Sequence, residues 1–418
     1  MSKIVLAFSG GLDTTFCVLW LREQTGAEIV TVTVDTGGFA EGELEAIAAR
    51  AASLGVTDHR VVDARADVFD RFVSYLIKSN GLRGGVYPVS VGAERTAQAE
   101  AVVRVARDVG ATAIGHGSTR AGNDQIRFDV AIRALAPELA IHAPIRDLNW
   151  SRAQESAWLA ERGIHIDAKT VDYSINVGLF GTTIGGKETH DSWQGLPEAA
   201  WAWTTTPSEA PAEGKALVIG FESGVPTTLD GVAMDPVALI AALNQLGGAH
   251  GIGRGVHVGD TILGIKGRVA FEAPAAAILL DAHRELEKLV LSRWQQHTKE
   301  HLASTYGMLL HEAAYLDPVM RDLEAFLESS QQAVSGEVRV HLCQGRLTIV
   351  GARSPYSMMS AAAGTYGEAN TLWTGAEARG FAAITGTQAR LARLAKLQGD
   401  AALAEKAGEK SALKAVAS

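Results

Sequence analysis

The first 165 residues alternate short, unbroken apolar runs with longer stretches in which apolar positions recur every three or four residues. Runs such as Ile29-Val30-Thr31-Val32-Thr33-Val34 suit strands buried on both faces, and the spaced stretches suit the helices that cover them. The pattern predicts strands at 3–8, 29–34, 59–62, 112–115 and 139–143, with helices at 14–24, 41–54, 66–78, 94–109, 124–135 and 151–162. Strand and helix in alternation make a parallel sheet with a helical layer on each side. Ligands in such sheets sit beyond the carboxyl ends of the strands, so residues 9–15, 35–38 and 116–124 are expected to converge.

Beyond residue 166 the periodicity changes. Hairpins read at 215–222 with 225–229, across Ser223-Gly224, and at 336–343 with 346–353, across Gln344-Gly345. Long helical patterns lie between them at 235–247, 275–302 and 318–330, and residues 201–214 read as a surface loop. The expected organisation is therefore an α/β domain at 1–165, an α+β domain at 166–365 and a tail at 366–418. The tail carries Trp373, Phe381 and a helix with Leu391, Leu394 and Leu397, too little for a core of its own, so it is expected to dock on another subunit. Its Ala/Lys/Glu-rich end after Gly399 is expected to be mobile.

Composition narrows the class. The chain has 418 residues, 47% of them hydrophobic and 20% charged. No apolar run approaches the roughly 18 residues that a membrane span requires. The start, Met-Ser-Lys and then a strand, lacks a signal peptide's regions, which points to the cytoplasm. Two cysteines, Cys17 and Cys343, stand in apolar surroundings and read as packing residues. The formal charge is −9, without a Lys/Arg stripe, which argues against nucleic acid as the main ligand. His297 and His301 are at helical spacing but lack the intervening glutamate of a metalloprotease pattern, so a solvated face is expected and no metal site.

The chemistry concentrates in two stretches. In the first, Ala7-Phe8-Ser9-Gly10-Gly11-Leu12-Asp13-Thr14-Thr15, a strand must turn sharply at the glycines into a helix. The free N–H groups of that first turn face the loop with the positive end of the helix dipole behind them, which makes a phosphate site. Ser9, Thr14 and Thr15 add hydroxyls, and Asp13 can hold Mg2+ through water. No Gly-Lys-Ser/Thr is present, so this is not a P-loop. Ser-Gly-Gly-Leu-Asp-Thr resembles the pyrophosphate loop of the ATP pyrophosphatase group. The second stretch runs from His116 to Phe128. It follows a strand, opens a helix near Asp124, and sets a carboxylate and a guanidinium, Arg127, among small polar residues, which suits an amino-acid ligand.

These two stretches are joined by Ala143-Pro-Ile-Arg-Asp147, Tyr173-Ser174-Ile175 with Gly181-Thr182-Thr183, His250-Gly-Ile-Gly-Arg254 and Arg353-Ser-Pro-Tyr-Ser357. In order and spacing over residues 3–385 they resemble the argininosuccinate synthase family. The resemblance implies an adenine nucleotide α-hydrolase-like domain, a synthetase domain and a C-terminal oligomerisation helix in a homotetramer. It implies a ligase of arginine biosynthesis: the citrulline ureido oxygen attacks the α-phosphorus of ATP, and aspartate then displaces AMP from the citrullyl-adenylate. Carried over by position, it assigns Ala7 to Thr15, Val34 and Gly117 to ATP, and Thr119, Asn123 and Asp124 to aspartate. Tyr87, Asn123, Arg127, Ser174 and Thr183 fall to citrulline. Asp13, His116 and Asp124 are the candidate catalytic residues, His116 as a donor to the leaving pyrophosphate.

Departures from the family pattern have content. Gly92 stands where many members have serine, Gly259 and Phe271 where many have glutamate and tyrosine, Ala121 for a common lysine and Asn176 for a common aspartate. Either Asp260 replaces the lost carboxylate, or the substrate is an N-acylated citrulline without an ammonium charge. A tRNA-modifying ATP pyrophosphatase is the other alternative, and it lacks the expected paired cysteines or basic face.

Overall fold

The computed structural model describes residues 2–165, 173–359, 363–368 and 370–416, with side chains to residue 407. The expected boundary at 165/166 abuts residues outside that set. Two compact units emerge, 1–357 and 358–418.

The larger unit begins with a five-stranded parallel sheet in the order β3-β2-β1-β4-β5. Its strands are β1 (Lys3–Ala7), β2 (Glu28–Asp35), β3 (His59–Asp63), β4 (Ala113–Gly115) and β5 (Ala140–His142). Each lies within two residues of its expected limits. Around them run α1 (Leu12–Thr25), α2 (Glu43–Ser53), α3 (Arg65–Val68) joined through a π-turn to α4 (Ser74–Ser79), α5 (Glu94–Asp108), α6 (Asp124–Leu135) and α8 (Arg152–Ala160). A short α7 (Pro144–Leu148), opened by proline, was not in the periodic pattern. Because the chain adds β2 and β3 on one side of β1 and β4 and β5 on the other, the order reverses between β1 and β4. That switch point is where such sheets bind ligands.

Two antiparallel sheets complete the unit. One, β10-β9-β8-β13-β14, contains both expected hairpins, β8 (Lys215–Glu222) with β9 (Val225–Leu229) and β13 (Gly336–Cys343) with β14 (Arg346–Arg353), joined through β8 and β13. β10 is Val232–Ala233. The other, β11-β12-β7-β6, has no counterpart in the sequence reading. Its strands β6 (Ser174–Gly178), β7 (Gly181–Gly185), β11 (Arg254–Asp260) and β12 (Lys266–Glu272) are rich in glycine and polar residues, which blur the strand pattern, and β6 and β11 stay largely exposed or half-buried. The helix expected at 275–302 is two, α10 (Pro274–Val290) and α11 (Arg293–His311), after α9 (Pro236–Ala249) and before α12 (Val319–Gln331). Ser292 breaks the run with a capping box: Gln295 N donates to Ser292 Oγ at 3.3 Å and Ser292 N to Gln295 Oε1 at 2.9 Å.

The core crosses the expected domain boundary. One cluster packs Val5, Val30 and Val32 against Val102 and Val105 of α5 and continues to Phe221, Leu239, Leu279 and Val338. A second joins Ile4, Leu6, Phe16 and Leu21 to Ile47, Ala51 and Leu159 on the other face of the sheet. The motif at 250–254 acts within this frame: Arg254 donates to Thr204 Oγ1 at 2.6 Å and Glu198 Oε2 at 2.7 Å, pinning the 198–206 loop.

The smaller unit contains α13 (Gly375–Thr385) and α14 (Thr387–Val416). Trp373, Phe381, Leu391, Leu394 and Leu397 are all exposed. Among the described residues no helix is long and apolar enough to cross a membrane.

Candidate active site

A cleft of about 830 Å³ opens at the carboxyl ends of the parallel strands. Its floor is the β1–α1 turn. Gly10 takes a left-handed φ of 72°, and Gly11, the N-cap of α1, offers no side chain to the first-turn N–H groups, which stay free for an anion. Thr33 Oγ1 donates to Phe8 O at 2.7 Å and fixes where the strand ends. Ala7, Phe8, Ser9, Gly11, Leu12, Asp13, Thr14 and Val34 line the cleft. Gly10 and Thr15 do not: Gly10 packs on Ile47, and Thr15 is fully buried.

The loop after β4 lies directly against this turn. A Cβ on Gly117 would stand 3.1 Å from Thr14 Cγ2 and 3.3 Å from the Asp13 carbonyl carbon, so only glycine lets the two loops share one ligand. Gly117, Thr119, Asn123, Asp124 and Arg127 line the same cleft, as do Tyr87, Ser174 and Thr183. His116 does not. It is 1% exposed, with Nε2 bonded to Asp129 at 3.0 Å and Nδ1 accepting from Ser118 N at 3.3 Å. Both ring nitrogens are committed, so the expected donor to a leaving group is instead a residue that positions the Ser118 backbone.

Asp124 and Arg127 form the polar centre. Arg127, itself buried, donates from Nη1 to Asp124 Oδ1 at 2.8 Å, from Nη2 to His311 Nδ1 at 2.9 Å and from Nε to His311 O at 3.1 Å. Arg95 of α5 lies 3.0 Å from the other Asp124 oxygen and donates to Asn176 Oδ1 at 2.8 Å. Burial pushes the Asp124 carboxyl up, but Arg95 and Arg127 outweigh it and hold the group below the usual carboxylate range. Asn123 Oδ1 accepts from Ile262 N at 2.9 Å, anchoring the β11–β12 turn over the cleft.

Arg83, Arg95, Arg152, His257, Arg268 and His311 also line the cleft, and the sequence reading missed all of them. They come from helices, a loop and the unforeseen antiparallel sheet, so neither motif nor strand-exit rule marks them. Glu155 of α8 was missed too. It is 1% exposed and lies beside Asp13, and each acid has one buried oxygen without a hydrogen bond, Asp13 Oδ1, which is 3.8 Å from Arg152 Nε, and Glu155 Oε2. Burial and then the Asp13 charge push Glu155 up to about 8; Asp13 is also raised, first by burial. Cys17, fully buried, contacts His116 O at 4.0 Å, and burial pushes its thiol well up, so it packs rather than reacts.

Raised carboxyls in the folded state give stability that is complete below the unfolded value, 4.5 for Glu155, and that declines as pH rises toward about 8. The ligand-free protein should therefore lose thermal stability across that window. Glu155→Gln, which cannot ionise, should flatten the profile and be the more stable form at pH 8. Melting curves at stepped pH check this, and parallel wild-type and variant profiles would refute the raised Glu155 carboxyl.

Family models described as Arginosuccinate synthase N-terminal HUP domain and Arginosuccinate synthase C-terminal domain match residues 3–165 and 173–392. The argininosuccinate synthase of Pyrobaculum aerophilum is 41% identical over 381 residues, 91% of this chain and 95% of the relative. That of Methanocaldococcus jannaschii is 41% identical over 85% of this chain and 89% of its own length, and that of Symbiobacterium thermophilum 39% over 92% and 96%. A solved chain described as a predicted subunit of tRNA methyltransferase from Methanocaldococcus jannaschii covers 40% of this chain and 90% of its own length. Its TM-score of 0.27 and 14% identity are too low to support the tRNA alternative. With both halves matched and the likeness sustained over nine-tenths of its length, the chain belongs to the argininosuccinate synthase family.

Proposed function

We propose that the cleft ligates a citrulline ureido group to aspartate at the expense of ATP, releasing AMP and pyrophosphate. The observation that carries this reading is the contact of the two strand-exit loops at Gly117 and Thr14, which sets a phosphate cradle beside the Asp124–Arg127 centre. The ureido oxygen attacks the α-phosphorus as the bond to pyrophosphate breaks, giving a citrullyl-adenylate. The aspartate amine then attacks the ureido carbon, AMP leaves with the former ureido oxygen, and the amine loses a proton.

The chain's part is positioning and charge stabilisation, with no covalent nucleophile. First-turn N–H groups of α1 with Ser9 and Thr14 receive the departing pyrophosphate. Asp124, kept ionised by two arginines, accepts from the aspartate amine, and Arg127 has two N–H groups left for a substrate carboxylate. Asp13, which lines the phosphate turn, would hold a magnesium ion through water, and that ion would neutralise charge on the leaving phosphates.

Turnover with aspartate and ureido-18O citrulline, or its N-acyl derivatives, should place the label in AMP. Release of ADP and orthophosphate, or unlabelled AMP, would sink the reading. The exposed leucines of α14 support docking of the tail on other chains, in the proposed cytoplasmic homotetramer. Light scattering should give four chains for the full protein and fewer for one ending at Ser357; equal masses would refute this role of the tail.

A further inference from the structure

One wall of the cleft carries polar groups that donate no hydrogen bond to a carboxylate side chain lining the cleft. His257, on β11, is 7% exposed, stacks on Tyr87 with ring centroids 6.0 Å apart at 18°, and its Nε2 has no partner. Beside it stands Gly259, where a Cβ would lie 2.5 Å from His257 Nε2 and 3.2 Å from Arg83 Nη1. An imidazole and a guanidinium thus converge over a single glycine, in space that any side chain would take from them.

His311, at the end of α11, extends the wall. Its Nδ1 accepts from Arg127, which leaves the proton on Nε2, and that atom also lacks a hydrogen-bond partner. Gly92 gives room on the other side, with Arg127 Nη2 3.2 Å from where its Cβ would be.

Acceptors are committed elsewhere. Among the described residues, the carboxylates lining the cleft are Asp13, Asp124 and Asp260. Asp13 belongs to the phosphate turn, and Asp124 is held by Arg95 and Arg127. Asp260 pairs with Lys266 at 2.7 Å, its side chain more than half exposed, and gives Arg83 only its backbone carbonyl, at 2.6 Å. Glu312 lies 3.6 Å from Arg83 but does not line the cleft. Asp260 is therefore not in place to receive a substrate ammonium. A buried ammonium against this wall would meet donors and pay the full desolvation cost. A carboxylate would satisfy groups that are otherwise buried without partners.

We propose that this wall binds a carboxylate carried on the α-nitrogen of the substrate, so that the ureido substrate is a citrulline acylated there by a dicarboxylic acid such as succinate. The inference rests on the ligation reading above and specifies its substrate. Acylation removes the ammonium, and the second carboxyl of the acyl group supplies the anion for His257 and Arg83. Burial and the Arg83 charge lower the His257 pKa, and an anion seated at Nε2 would select the tautomer that carries its proton there.

Pyrophosphate release, dependent on ATP and aspartate, would be measured with citrulline, N-acetylcitrulline and N-succinylcitrulline on the full-length enzyme. The succinyl compound should exceed both others in kcat/KM by about tenfold or more, the size expected of a charge-assisted hydrogen bond. Equal or better use of free citrulline overturns the inference and leaves the ligation reading standing. Absence of dependent pyrophosphate release with all three overturns both. In His257→Gln the succinyl-to-acetyl ratio, taken within one preparation and so independent of how much of it folds, should fall about fivefold or more. An unchanged ratio removes His257 from the site.

Discussion

Arg127→Met is expected to lower kcat/KM by about three orders of magnitude, comparable to removing a donor aimed at developing charge. The guanidinium satisfies Asp124, the His311 carbonyl and His311 Nδ1 while buried, and it offers its remaining N–H groups to the cleft. Methionine keeps the volume of the stem and loses every one of these bonds. Asp124 keeps Arg95 alone, and two buried acceptors on His311 are left unpaired, which should cost about 3–5 kcal/mol of stability as well. Arg127→Lys should not rescue activity, because one ammonium cannot serve acceptors in two directions. Pyrophosphate-release kinetics alongside urea unfolding separate the two effects. A methionine variant within tenfold of wild type would show that the Asp124–Arg127 centre is structural.

The second large effect is on folding. A Cβ on Gly178 would lie 1.8 Å from Glu94 Oε1 and 2.3 Å from its carboxyl carbon. Glu94 is 1% exposed and is the junction of three elements: it opens α5, accepts from Thr36 Oγ1 beyond β2 at 2.9 Å, and accepts from Leu179 N in the β6–β7 turn at 3.1 Å. Gly178→Ala must drive that carboxyl out, and a cost of about 3 kcal/mol or more is expected, enough to lower Tm by roughly 4 °C in a chain of this size. Burial pushes Glu94 up to about 8, toward the neutral form that an amide mimics, and Glu94→Gln should shift Tm by no more than about a degree. Calorimetry on both variants decides. An alanine variant as stable as wild type would mean that β6 does not approach α5 as described.

The contrast between these two predictions shows where sequence reading succeeds and fails. The phosphate turn was legible because its causes are local: an apolar strand, two glycines and a helix start within residues 3–16. The strands of the parallel sheet followed for the same reason, since runs such as residues 29–34 suit a strand covered on both faces. The break at Ser292 was also local, a capping box with Gln295 inside a periodic stretch, and could have been found.

Glu94, Glu155, Arg95, His257 and His311 carry no such signature. Each is an ordinary residue in its own segment and becomes functional or structural only beside a partner distant in sequence, such as Arg83 for His257 or Arg127 for His311. The sheet that brings His257 in, β11-β12-β7-β6, is itself glycine-rich and polar, and it pairs segments far apart in sequence. By itself, then, the chain's local pattern determined the parallel sheet, the phosphate cradle and the acid- and base-bearing loop beside it. Only the tertiary structure decided that His116 faces inward to Asp129, that Asp260 turns to Lys266, and that a wall of unpartnered donors closes the cleft, because charge and hydrogen-bond satisfaction depend on neighbours that sequence order does not contain.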